Sequence, residues 1–243
     1  MLAWLWLVAT AGAGEFTHTL VWDLSVKGTA VGTRELTVRY LESDGGASRI
    51  LESFTDLNGT VGPVKVRWRQ RMTAHVDARE PASFHSVMDQ NGAILEIQGR
   101  WSPAAWHVTS TANGRSRASD MPLGRVDLSS ADLMDPYSTL PLSHFKEARV
   151  LSAETGEVLM GPVELLGVSE IKIKNQPIQV SGYAWSNTQG RSEFYYSADG
   201  YLVKYKTQLV GVDLEAVLRD PPPGGVDDFP VAAGRPAVEA IEL

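Results

Sequence analysis

From Val64 to Val76 the residues alternate. Val64, Val66, Trp68, Met72, Ala74 and Val76 fall on one parity, and Lys65, Arg67, Arg69, Arg71, Thr73 and His75 on the other. A period of two is the signature of a strand with one buried and one solvated face, because successive side chains point to opposite sides. The pattern returns in Tyr201, Val203, Tyr205, Thr207 and Leu209, and in the pairs Ile171/Ile173 and Ile178/Val180. Between such runs stand Asp44-Gly45, Asn58-Gly59, Asn91-Gly92, Asn113-Gly114 and Asp199-Gly200. These pairs tolerate positive φ and suit the tight turns that join antiparallel strands. Gly161, Gly167, Gly182 and Gly211 interrupt strand-like runs, as bulges and bends in a curved sheet require. One helix is expected, with Ser129 as its cap, Asp132 three residues on and Pro136 as its stop. The stretch 113–135, where Gly, Ser, Arg and Asp replace the alternation, reads as a long loop carrying that helix. Without a sustained 3.6-residue period elsewhere, a parallel sheet with crossover helices is excluded. The expected class is all-β: one strongly curved antiparallel sheet with a short helix or loop across its mouth.

The two ends differ from this body. Leu2-Ala3-Trp4-Leu5-Trp6-Leu7-Val8-Ala9 is uncharged and apolar, and Ala11-x-Ala13 follows. Residues 1–13 therefore read as a cleaved secretory signal, although no Lys or Arg precedes the apolar run. The run is shorter than the ~20 apolar residues of a membrane span, so no span is expected after cleavage. A buried first strand or a membrane-resting stub are the alternatives. From Asp220 the chain turns to Pro221-Pro222-Pro223-Gly224-Gly225 and a Pro-, Gly- and Ala-rich remainder, with five acids against Arg235. Residues 220–243 read as a flexible acidic tail, or as a peptide that docks on a partner through Phe229, Val231 and Ile241. One β domain, 14–219, lies between. The 243 residues suffice for its core.

Composition narrows the chemistry. The chain has no Cys, which removes disulfides, thiol catalysis, iron–sulfur ligation, thiolate zinc sites and a lipobox. A net charge of -7 opposes general nucleic-acid binding. His18, His75, His85, His107 and His144 show no spacing that brings two ligands together, so no metal is expected. G-x-S-x-G is absent, and so is a phosphate-cradling glycine loop; no cofactor is expected. Glu96 and Glu164 sit among apolar neighbours, where a carboxylate either acquires a raised pKa or points to solvent. Lys65, Arg67, Arg69 and Arg71 form a cationic row, about 6–7 Å apart along one face. That row suits an anionic ligand, a lipid headgroup or a membrane surface. It equally suits pairing with carboxylates on neighbouring strands such as Glu52 or Glu96.

Val21-Trp22-x-x-x-Val26-x-Gly28-x-x-Val31-Gly32 resembles the first hairpin of a family of exported bacterial domains of unknown function. The second half is more similar still: Asp135-Pro136-Tyr137, Thr155-Gly156-Glu157, Leu166-Gly167-Val168-x-Glu170, Ser181-Gly182-Tyr183, and the run Phe194-Tyr195-Tyr196-Ser197-Ala198-Asp199-Gly200-Tyr201-Leu202-Val203-Lys204. Ser197 stands where the family pattern has an Asp. The resemblance covers about 20–219 and rests on turn glycines and core aromatics. It implies a spiral β-roll, similar to the half-barrels of periplasmic lipoprotein and lipid carriers, and no catalytic residues. A curled sheet with a cover leaves room for an apolar ligand. Candidate lining residues are Trp68, Met72, Trp101, Trp106, Tyr183, Trp185, Tyr195, Tyr201 and Tyr205, each of which ordinary core packing would also explain. The leading expectation is an exported, non-catalytic carrier of an apolar or amphiphilic molecule such as a lipid, in the periplasm or outside the cell. The alternatives are an interaction module of an envelope assembly, docking through the tail or a sheet edge, and a hydrolase concealed from linear sequence.

Overall fold

A computed structural model of the chain describes residues 15–43, 46–61, 64–77, 82–122, 124–136, 138, 142–209 and 211–222. Eight strands run outward as an antiparallel meander: β1 (Glu15–Val26), β2 (Thr29–Ser43), β3 (Gly46–Val61), β4 (Val64–Asp77), β5 (Ser83–Gln90), β6 (Ala93–Trp101), β7 (Ala105–Ala112) and β8 (Arg115–Pro122). The chain then crosses to the far end, where β9 (Leu128–Ser129) lies parallel to β10 (Glu147–Leu151). A second meander returns through β11 (Val158–Ile173), β12 (Gln176–Asn187), β13 (Gly190–Ser197), β14 (Leu202–Leu209) and β15 (Val212–Leu218). The last strand closes on the first, with Trp22 opposite Leu218. All fifteen strands make one sheet whose outer members, β8 and β9, do not pair. It curls until its ends face each other: a Cβ on Gly156, after β10, would sit 3.3 Å from Ile97 of β6.

Alternation builds this sheet as expected. Val66, Trp68, Gln70, Met72 and Ala74 are buried on one face of β4, and Lys65, Arg67, Arg69, Arg71 and His75 are exposed on the other. Trp22, Leu24, Leu36 and Leu51 are wholly buried in one continuous core, each contributing roughly 1.5–3 kcal/mol. Asn91-Gly92 and Asn113-Gly114 have positive φ at both positions (53° and 90°, 51° and 72°), which matches the twist of the strands they join. Asn58-Gly59 is not a turn. It lies inside β3, where a Cβ on Gly59 would meet Val31 at 2.8 Å, so the glycine permits close approach instead. Asp44-Gly45 falls outside the described residues.

The stretch 113–135 departs from expectation twice. Arg115–Pro122 is a strand, paired in full with β7. Apart from the half-buried Met121 its residues are exposed on both faces, so an edge strand of this kind carries no alternation to read. Residues 130–136 are successive turns rather than a helix. Asp132 Oδ2 does accept from the Ser129 amide (2.7 Å) and hydroxyl (2.8 Å). However, Ala131, Leu133, Met134 and Asp135 are all buried, so the segment is a plug inside the concavity, with no solvent face for a helix to keep. Three contacts pin it there: Arg49 Nε to Asp135 Oδ2 at 3.0 Å, Tyr196 Oη to the Leu133 carbonyl at 2.9 Å, and the Ser130 amide to the Leu151 carbonyl at 3.0 Å. The expected signal segment and all but the first residues of the expected tail lie outside the described residues.

Candidate functional site

Between the plug and the concave face of the sheet is a cavity of about 180 Å³. Trp68, Trp185, Phe194 and Tyr205 supply aromatic walls, and Leu159 and Met134 supply aliphatic ones. The indole nitrogens are already engaged: Trp185 donates to the Ala148 carbonyl (3.3 Å) and Trp68 to Met88 Sδ (2.8 Å). The rings are thereby held at fixed orientations.

Arg34 brings a charge into this cavity. It shares the inward parity of β2 with the buried Leu36, Val38 and Tyr40. Its Nε donates to Ser53 Oγ (3.3 Å) and its Nη1 to Tyr205 Oη (3.2 Å), and the guanidinium lies 5.8 Å from the centre of the Tyr205 ring. Burial works against its positive charge, but the fields of Tyr205 and Glu154 outweigh it and hold the pKa above the usual arginine value. Thr55, directly across on β3, also lines the cavity, and its Oγ1 is buried without a partner. Glu154 faces the same space, its Oε2 accepting from Ser152 (3.0 Å) and Ser130 (3.2 Å). A second depression of about 640 Å³ lies where the sheet's ends approach, bordered by Arg117, Asp120, Arg125 and Arg149. It is open along the exposed β8, and Arg149 is already paired with Asp127 at 2.7 Å. The smaller cavity is the better-built site.

Of the aromatic candidates, the structure brings Trp68, Trp185 and Tyr205 together at the cavity. Met72 and Tyr201 are fully buried in the core. Trp106 packs on Phe84, with ring centres 5.9 Å apart, and Trp101 is half-buried at the end of β6. Tyr183 packs on Tyr196. The Tyr195 ring covers Gly182; partial burial, and then its bond to Glu193, push its hydroxyl up to about 12. None of these lines the cavity.

The cationic row is exposed on the outer face of β4. Arg69 meets Asp56 across the strands at 3.2 Å and Arg71 stands over the Phe54 ring. Glu52 and Glu96 are engaged elsewhere, with Arg39 and His85. Bonds from Gln98 and His85 hold the Glu96 carboxyl below its usual range, and Glu164 pairs with Arg191 at 2.9 Å. Glu96 therefore remains a charged acceptor. Arg34 and Thr55 were not singled out from sequence, yet Arg34 sits on the apolar parity of Leu36 and Val38, a visible irregularity. Gln70 is another: it interrupts the apolar side of β4, where its Nε2 donates to Ser86 Oγ at 2.9 Å.

One constellation hidden from sequence has the order of a hydrolytic triad. Ser102 Oγ is 3.1 Å from His107 Nε2, and His107 Nδ1 is 2.7 Å from Asp120 Oδ1. Its surroundings are those of a surface turn. Asp120 and His107 are 72% and 52% exposed, whereas a triad carboxylate that orients its imidazole is buried. The Ser102 hydroxyl also spans its own turn, donating to the Ala105 carbonyl (3.0 Å) and accepting from the Ala105 amide (3.2 Å). Among the described residues no three His, Asp or Glu are grouped to hold a metal, and no helix is long and apolar enough to cross a membrane.

Residues 22–219 match the model of a domain of unknown function, DUF6134. No curated protein matches the chain by sequence. Among solved structures, the crystal structure of a β-barrel-like protein of the domain of unknown function DUF1849, from Brucella abortus, is similar at a TM-score of 0.56. The two share 10% identity, and the similarity covers 84% of this chain and 96% of that one. The similarity speaks for the fold.

Proposed function

The chain belongs to the DUF6134 family, and on that premise we propose that it is a non-catalytic binding or carrier domain for a small amphiphilic ligand, exported to the cell envelope. The observation that carries this reading is the cavity between sheet and plug, with its fixed aromatic walls and an inward guanidinium. A filled core would place apolar side chains at Arg34 and Thr55; here polar groups converge on a space with aromatic sides, the usual composition of a ligand site. The apolar run and Ala11-x-Ala13 support export. The exposure of Asp120 and the turn role of Ser102 support a non-catalytic surface at that constellation. Native mass spectrometry of mature protein prepared without detergent tests the reading. A non-covalent added mass that disappears on denaturation is the expected result. A clean protein mass, with no uptake of small acids or alcohols offered afterwards, overturns it.

A further inference from the structure

We infer that Arg34 is the anchoring group of this cavity and that the ligand it holds is a compact carboxylate, a short-chain or aromatic carboxylic acid. The inference rests on the binding-domain reading and narrows it from amphiphiles in general to small acids.

Two arginines point inward from neighbouring strands, and they are treated differently. Arg49 has a buried counter-ion, Asp135, 3.0 Å away. Among the described residues Arg34 has no carboxylate within 4.0 Å; its bonded partners, Ser53 and Tyr205, are neutral. A guanidinium carries five N–H donors in a planar fork, and two are used here. Isolating a charge from water is costly unless it is paired. A carboxylate that accepts two parallel N–H bonds meets that need with favourable geometry. Tyr205 fixes the plane of the fork by lying beneath it and bonding its edge. The unpaired Thr55 hydroxyl, opposite Arg34 in register, offers one more donor at the same place.

Size and charge select the rest of the molecule. At about 180 Å³ the space is below the roughly 300–1,000 Å³ of sites for drug-sized ligands, and comparable to the ~150 Å³ cavity that accepts benzene. A ring or short chain fits a space of this volume, lined by Trp68 and Trp185; a long acyl chain does not. Glu154 faces the same space, so the site offers one cation tempered by a nearby anion. That balance favours a monoanion over a phosphate monoester, which carries about -1.5 to -2 at pH 7.

The test is titration of the full chain with benzoate and hexanoate against benzyl alcohol and 1-hexanol, read by calorimetry and by tryptophan fluorescence. Each acid is expected to bind at least about tenfold more tightly than its alcohol, which is one decade of binding constant. Arg34→Gln should bring that ratio close to one, and Glu154→Gln should raise acid affinity by removing a like charge. Equal binding of acid and alcohol to the unaltered protein overturns the role of Arg34 while leaving the cavity a ligand site. Weaker acid binding by Glu154→Gln also overturns the inference, because it would mean that the ligand presents a cation to Glu154. Failure of all four probes, together with a clean native mass, removes the binding reading itself. The acid-to-alcohol comparison in the unaltered protein stands even if Arg34→Gln does not fold.

Discussion

Asp135→Asn is the perturbation whose outcome the structure constrains most tightly. Asp135 belongs to the plug and its side chain is 1% exposed; its partner Arg49, on β3, is 13% exposed. The substitution preserves shape, so no cavity opens, but it leaves a guanidinium buried without its counter-ion. Breaking a buried pair from one side costs about 3–5 kcal/mol. Because Arg49 retains some access to water, the low end, about 3 kcal/mol, is the appropriate figure. For a domain of this size that lowers Tm by about 6–12 °C, and at a urea m-value near 3 kcal/mol/M it moves the midpoint down by about 1 M. Thermal and urea unfolding followed by near-ultraviolet circular dichroism measure both. The double variant Arg49→Met/Asp135→Asn removes the stranded charge and should recover more than half of the loss. A fall of less than about 2 °C in Asp135→Asn, at most about 1 kcal/mol, would refute the argument. So would a double variant no better than the single one. The plug contributes Ser130, Leu133 and Met134 to the cavity, so the single variant should also weaken uptake of ligand.

Gly161→Ala would place a Cβ 1.6 Å from the Ser186 carbonyl oxygen, where only backbone can yield. Its destabilisation should exceed the ~0.5–3 kcal/mol of ordinary substitutions, against about 1–2 kcal/mol for Gly92→Ala, which has open space and only an unfavourable φ; urea unfolding ranks the two. Burial lowers the His18 pKa below 6.5. The associated stability is complete above about pH 6.5 and declines as pH falls toward the folded value, so the Tm of the unaltered protein should drop more between pH 7 and 5 than that of His18→Asn. A fluorophosphonate probe should leave Ser102 unlabelled; labelling at Ser102 that His107→Ala abolishes would establish a nucleophile and defeat the non-catalytic reading. Tyr196→Phe deletes the bond to the Leu133 carbonyl and should cost about 1 kcal/mol, with a looser plug detected by hydrogen exchange in residues 130–135.

The sequence by itself determined the antiparallel sheet, because alternation and two-residue positive-φ turns are local and each strand carries its own instruction. It also displayed the clues to the site: a charge at Arg34 among Leu36 and Val38, and Gln70 on the apolar side of β4. Those clues lacked meaning until β3 lay beside β2 and the curl of the sheet brought β14 over it, since Ser53 reaches Arg34 from the neighbouring strand and Tyr205 from beyond β1 and β15. The same holds for Ser102, His107 and Asp120, which a hairpin and an edge strand align without any motif. β8 is not legible in the sequence because a strand solvated on both faces has no periodic burial to record in its residues. The plug reads in sequence as a capped helix, and only the concavity, by burying Ala131, Leu133 and Met134 together, decides otherwise. Periodicity is set by neighbours along the chain. A counter-ion for Arg49, the neutral partners of Arg34 and the space beside it are set by residues distant in sequence, and tertiary packing alone brings these together.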